Sequence, residues 1–287
     1  MALSDYRDSM GRCVRCSYCK WVPMPQISSW RFAAGCPSIQ YGNFHAYSGG
    51  GKVVTALGLL EGVNDYTDEM LKTIYACSMC GLCDISCKLN YSENVEPIEI
   101  LRELRVQCVK DGQSDFAHMG IIEGLKKEDN MFGKPKADRA KWAEGLAVKD
   151  ILAEKAEVFL HVGCQLSYDE ELWPVIRGAV SILQEAGVDF GVAMKEEVCC
   201  GGRAYEIGYK GEFKNYAESM VGRVKESGAK TLLTCCADGY GAFKQLYPRT
   251  GNAFKDVEVV HITEYMARLI KEGKIKFTKP RAASAIP

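Results

Sequence analysis

Four cysteines at Cys77-x2-Cys80-x2-Cys83-x3-Cys87 constrain this chain more than any other stretch. A loop of that length can turn four thiolates inward onto one inorganic centre while its backbone N–H groups face the bridging sulfides. The spacing is that of a [4Fe–4S] ligand set. A zinc ribbon carries separated Cys-x2-Cys pairs instead of a run of three.

A second run, Cys13-x2-Cys16-x2-Cys19, repeats the first three ligands. Its natural fourth ligand is Cys36, followed by Pro37, after a gap of sixteen residues. In two-cluster ferredoxins the fourth cysteine of each run ligates the other cluster. By that rule Cys13, Cys16, Cys19 and Cys87 hold cluster I, while Cys77, Cys80, Cys83 and Cys36 hold cluster II. The insertion between Cys19 and Cys36 carries Trp21, Pro23, Pro25, Trp30 and Phe32. It is read as packing that keeps water off a cluster, in preference to a docking surface, because aromatic side chains mostly serve burial. Gly49-Gly50-Gly51-Lys52 fails as a phosphate loop, since Ala46 stands where the first glycine belongs and Val53 replaces the Ser/Thr. It is expected to be a loop.

A chain of 287 residues is expected to form two domains. Net charge is −1, which leaves no electrostatic footprint for nucleic acid or an anionic membrane. The longest apolar runs fall short of a membrane span, and the first residues show no apolar export signal. A cytoplasmic protein is expected, peripheral to a membrane only through a partner. In a reducing cytosol fourteen cysteines point to metal ligation rather than disulfides. Eight lie before Lys88, Cys108 stands alone, and five follow His161.

Helices are expected over 52–61 and 67–76, and another begins at Pro97 with Ile98, Leu101, Leu104 and Cys108 on one face. Cys108 is therefore read as a core residue. Residues 126–150 are charged and broken by Gly133 and Pro135, as in a connector with one short helix around 139–145. Beyond Glu157 short apolar runs at 158–162, 188–193, 231–234 and 257–262 read as buried strands. Between them lie two amphipathic helices, one through Leu172, Ile176, Ala179 and Leu183, the other through Phe213, Tyr216, Ala217, Met220, Val221 and Val224. Gly187 and Gly228 stop them. Ser167 and Glu170 have capping-box spacing before the first, and Thr263 is placed to cap a last helix ending at Gly273. The fold class expected is α+β with an α/β portion. A helical two-cluster domain (1–127) and a linker (128–155) precede a small parallel α/β domain (156–287).

On that map the five remaining cysteines fall at the carboxyl ends of parallel strands, where open α/β sheets build their sites. Cys164 follows the first strand, Cys199 and Cys200 follow the second, and Cys235 and Cys236 close the third. Gly201 and Gly202 would let backbone approach a bulky inorganic ligand. The histidines at 45, 118, 161 and 261 show no ligand spacing.

The spacing Cys164-x34-Cys199-Cys200-Gly201-x33-Cys235-Cys236 resembles the cysteine-rich CCG domain of heterodisulfide reductases. The first half is similar to their small iron–sulfur subunit. Both in one chain, joined through Asn130 to Pro135 with Arg139 and Trp142 following, resemble the fused D-type subunit, whose relatives occur in large anaerobic complexes such as class II benzoyl-CoA reductase. The resemblance implies a third, non-cubane cluster held by Cys164, Cys199, Cys200 and one or both of Cys235 and Cys236, where disulfides are split in one-electron steps. Those cysteines are then the candidate catalytic residues. Two departures stand out: Gly239 occupies the place of the motif's last cysteine, and no second CCG motif is present.

The resemblance implies an iron–sulfur subunit that passes electrons through two cubanes toward the CCG site. Its partners would be a flavin- or hydrogenase-type electron donor and a second CCG or membrane subunit. One alternative is the iron–sulfur subunit of a flavin-linked glycolate, lactate or glycerol-3-phosphate dehydrogenase. Another is a non-catalytic wire or scaffold with zinc in the CCG site.

Overall fold

The computed structural model describes residues 1–91 and 95–277. It divides into two compact units, one of Met1–His118 with Ala204–Lys210, the other of Met119–Arg203 with the chain from Gly211 onward.

The first unit is helical: α1 (Arg7–Gly11), α2 (Pro37–Gly42), α3 (Gly49–Leu60), α4 (Asp68–Tyr75), α5 (Leu82–Tyr91) and α6 (Pro97–Lys110). Thr67 caps α4 by accepting the Met70 N–H at 3.2 Å, and Pro97 opens α6, where its missing N–H costs nothing. Val53 and Ala56 of α3 share one core with Leu101, Leu104 and Cys108 of α6. Cys108 is thus a core residue, as its place on the apolar face of α6 predicts. The three glycines expected to form a loop are instead the first turn of α3, capped by Ser48, whose Oγ accepts the Gly51 N–H at 3.0 Å.

The chain continues through α7 (Phe116–Glu128) into the second unit, a five-stranded parallel sheet with helices. The elements along this stretch, in which Ala204–Lys210 belongs to the first unit, are in order β1 (Lys149–Asp150), β2 (Val158–His161), α8 (Gly163–Tyr168), α9 (Trp173–Glu185), β3 (Phe190–Val192), α10 (Gly202–Glu206), α11 (Lys210–Ser227), β4 (Thr231–Thr234), α12 (Ala237–Gly241), β5 (Glu258–His261) and α13 (Ile262–Lys271). Strand order is β1-β3-β2-β4-β5, every pair parallel, with Leu160 opposite Leu233 and Leu233 opposite Val260. These three residues pack with Ile176, Val180 and Leu183 of α9 and Leu269 of α13. The helical domain followed by a parallel α/β domain is the expected fold class.

Local differences have physical reasons. The segment expected as a linker carries β1, whose two residues are charged and so leave no apolar signal, and a 3-10 helix, Lys136–Ala143, that buries Arg139 and Trp142. His261, not Thr263, caps α13, because its ring accepts the Thr263 N–H while Glu264 returns to the His261 N–H. Leu172 precedes α9 without a side-chain cap and Pro174 lies in its first turn, so the Ser167/Glu170 box is not formed. Trp30 and Phe32 are 73 % and 61 % exposed, contrary to the packing role expected of them.

Candidate metal centres

In the first unit the two cysteine loops share one backbone pattern. Arg15 and Ser17 have positive φ, as do Met79 and Gly81 at the equivalent places of the second run. Left-handed residues reverse the chain within a few positions, which is how a short loop turns successive side chains to one side.

The loops bring the cysteines together in crossed groups. Burial first, and then the charges of Cys13, Cys16 and Cys19, push the pKa of Cys87 up to about 11. One cavity is lined by Cys36, Cys77, Cys80 and Cys83 together with Gly49, Lys52 and Pro97. Cys83 is shifted strongly upward, first by burial and then by Asp84 and the neighbouring thiolates. Burial likewise raises Cys19, opposed by the Gly50 N–H, which donates to its Sγ at 3.2 Å. Thiols held this way stay protonated until a metal takes the place of the proton.

The first turn of α3 lies against both groups. A Cβ on Gly49 would come within 2.5 Å of the Cys83 Cβ, and one on Gly50 within 3.4 Å of Cys19 Sγ and 3.7 Å of Cys13 Sγ. At Gly49 a side chain would collide with Cys83, while at Gly50 it would only make ordinary contact with the sulfurs of Cys19 and Cys13. Lys52, one turn of chain on, is 2 % exposed and donates to Ser38 Oγ at 2.9 Å and to the Tyr47 carbonyl. Burial lowers its pKa, against the pull of Cys77, Cys36 and Cys83. Arg105, also buried, donates to the carbonyls of Cys77 (2.8 Å), Glu206 (2.8 Å) and Ile74 (3.0 Å).

In the second unit Cys164 opens α8 just past β2, and Cys199 and Cys200 follow β3. Cys164 and Cys199 lie close enough for each thiol to shift the other's pKa, and Cys200 shifts Cys199. For Cys164 the Cys199 thiol and then burial raise the pKa well above the ordinary thiol value, against the charge of Arg139. Cys164 lowers Cys199, but Cys200 and complete burial leave it raised. Gly201, at φ +71°, turns its N–H onto Cys199 Sγ at 3.4 Å. Cys236 precedes α12, and the N–H groups of Gly239 and Asp238 in that helix's first turn point at its sulfur. Gly239 thus offers backbone where the resembled motif has a thiolate. Cys236 also feels the charge of Cys164, whereas Cys235 packs against the sheet core and feels only Cys236 and Glu197. Cys164, Cys199 and Cys200 thus influence one another, Cys236 feels Cys164, and Cys235 packs against the sheet core.

Beneath them lies an ion pair that spacing could not reveal. Arg139 Nη1 meets Glu197 Oε1 at 3.2 Å, and Glu197 accepts the N–H groups of Val162 (2.8 Å) and Gly163 (2.9 Å). Arg139 Nη2 donates to the Asp129 carbonyl at 2.6 Å and stands 4.0 Å from Cys164 Sγ. Desolvation works against its charge, but Cys164 and Glu197 outweigh it and raise its pKa. Two buried donors or acceptors at this site, Arg139 Nε and His161 Nδ1, have no hydrogen-bond partner among the described residues.

Donor chemistry fits iron–sulfur clusters in both units: grouped thiols, glycine backbone against sulfur, and buried cations facing them. Among the described residues no three His, Cys, Asp or Glu side chains gather as ligands of one metal ion would. A single zinc at about 2.3 Å from each sulfur needs tighter convergence than a four-iron cluster does.

Residues 9–91 match the family of 4Fe-4S dicluster domains, and residues 158–244 match the family of CCG cysteine-rich domains. The chain is 28% identical over 275 residues to the D-type subunit of the dihydromethanophenazine:CoB--CoM heterodisulfide reductase of Methanosarcina mazei, covering 93% of this chain and 64% of that one. It is 30% identical over 217 residues to the EtfAB:quinone oxidoreductase of Syntrophomonas wolfei, covering 73% of this chain and 29% of that one. The "Probable iron-sulfur-binding oxidoreductase FadF" of Bacillus subtilis is 26% identical over 98% of this chain and 39% of its own length. The chain thus spans less than two thirds of each of these relatives. No solved structure matches it. The resemblance to the D-type subunit is borne out. Among the described residues no helix is long and apolar enough to cross a membrane.

Proposed function

We propose that this chain, a relative of the D-type subunit of heterodisulfide reductase, is the iron–sulfur electron-transfer component of an anaerobic oxidoreductase complex. The observation that supports it best is the crossed grouping of cysteines, with Cys87 beside the first run and Cys36 beside the second. Cys13, Cys16, Cys19 and Cys87 would hold one [4Fe–4S] cluster, and Cys36, Cys77, Cys80 and Cys83 another. Cys164, Cys199, Cys200 and Cys236 would hold a third, non-cubane cluster, the Gly239 N–H acting on the Cys236 sulfur.

When bound, the clusters supply one-electron transfer. The chain's own residues exclude water, fix the thiolates and set the local charge. Residues 1–127 receive electrons from a flavin- or hydrogenase-type donor, and residues 156–287 present the cysteine-rich site to the acceptor. A disulfide there takes two electrons in single steps, with two protons, to give two thiols. A second reading, delivery to quinone, is favoured by the 30% identity to a protein whose name pairs EtfAB with quinone.

The test is the Cys200→Ser variant, purified anaerobically with its native partners and read by EPR. It should keep two cubane signals and lose a third. A parent protein with no third centre would overturn the assignment of the cysteine-rich site, and co-purification of a quinone-reactive membrane protein would favour the second reading.

A further inference from the structure

A buried ammonium needs a partner, because removal from water costs several kcal/mol that only an opposite charge or strong hydrogen bonds offset. Lys52 has a serine hydroxyl and one carbonyl, and among the described residues no carboxylate stands within ion-pair distance. Its side chain lines the cavity of Cys36, Cys77, Cys80 and Cys83, and Arg105 backs the same cavity through the Cys77 carbonyl. Two fixed positive charges therefore face one group of four thiolates. Each group has one exposed cysteine, Cys16 in one and Cys80 in the other, so exposure does not separate them; the buried Lys52 lining the cavity of the second group does.

We propose that Lys52 is a potential-setting residue, holding the centre of Cys36, Cys77, Cys80 and Cys83 at a higher midpoint potential than that of Cys13, Cys16, Cys19 and Cys87. This rests on the two-cluster reading above. Reduction adds one electron, from donor or chemical reductant, to a centre already dianionic with its four thiolates. A cation inside the low-dielectric wall stabilises the added charge far more than one in water. The electron then rests on the Lys52 side, and the centre of Cys13, Cys16, Cys19 and Cys87 is the point of entry.

The full chain, loaded anaerobically, is titrated with dithionite and mediators and followed by EPR in the parent, Lys52→Met, Lys52→Gln and Lys52→Arg forms. Glutamine keeps a donor for Ser38 and Tyr47 but removes the charge; arginine keeps the charge. In the parent, the signal that Cys36→Ser abolishes is expected to have the higher potential. Lys52→Met and Lys52→Gln should lower it by at least about 59 mV, tenfold in the reduction equilibrium, with the other signal unmoved and arginine near the parent. Parent-like potential in the glutamine form, or a lower potential for the Cys36 signal in the parent, overturns the proposal. Loss of that centre's iron from both uncharged variants also overturns it, assigning the lysine to assembly. A parent without two cubane signals fails the cluster reading itself.

Discussion

Arg139 and Glu197 form an ion pair of 3.2 Å with side chains only 1 % and 2 % exposed. Glu197 holds the N–H groups of Val162 and Gly163, and Arg139 holds the Asp129 carbonyl. The pair therefore fixes the turn that presents Cys164. Removing one member leaves a buried charge uncompensated, at a cost of about 3–5 kcal/mol. Arg139→Met should lower the unfolding free energy of the second unit by that order in denaturant titrations. Lys141→Met, an exposed pair with Asp138, should change it by less than about 1 kcal/mol.

Glycines at the candidate centres should be intolerant where others are not. Gly201 has φ +71°, and an added Cβ would lie 2.8 Å from the Tyr216 Cβ. Gly201→Ala is expected to destabilise by about 1–3 kcal/mol through overpacking and backbone strain. Gly222, inside α11 with nothing within 4 Å of such a Cβ, should gain about 0.5–1 kcal/mol as alanine. Thermal unfolding of the two variants checks both signs.

Cys108 supplies a pH dependence that does not involve metal. Burial lifts its pKa from the ordinary 9.0 to about 11, despite a hydrogen bond with Tyr66 that lowers it. The folded state thus favours the thiol, and that stabilisation is complete below pH 9 and lost as pH rises through about 11. Denaturant midpoints between about pH 8 and 11 should fall more steeply in the parent than in Cys108→Ala. Equal slopes would exclude Cys108 as the source.

Much of this was legible in the sequence for local reasons. Strands β2 to β5 are short apolar runs, and α6 and α11 carry 3.6-residue periodicity, so each announced itself within a few residues. The cysteine runs were legible because loop ligands must be close in sequence. What escaped depends on distance along the chain. Arg139 and Glu197 are 58 residues apart, and nothing in either neighbourhood marks a pairing. Gly49 owes its identity to Cys83, more than thirty residues away, which a phosphate-loop comparison cannot register. Cys235 and Cys236 are adjacent, and only the backbone at the end of β4 decides which faces Cys164. Trp30 and Phe32 show the converse: aromatic character signals burial only where a second layer covers it.

Iron and acid-labile sulfide counted per chain, in protein prepared without oxygen, bear most directly on whether these thiolates hold clusters. At least about eight of each are expected from two cubanes, rising further if the cysteine-rich site is filled, with zinc negligible. A colourless protein with no labile sulfide, or one zinc per chain in place of iron, would contradict it.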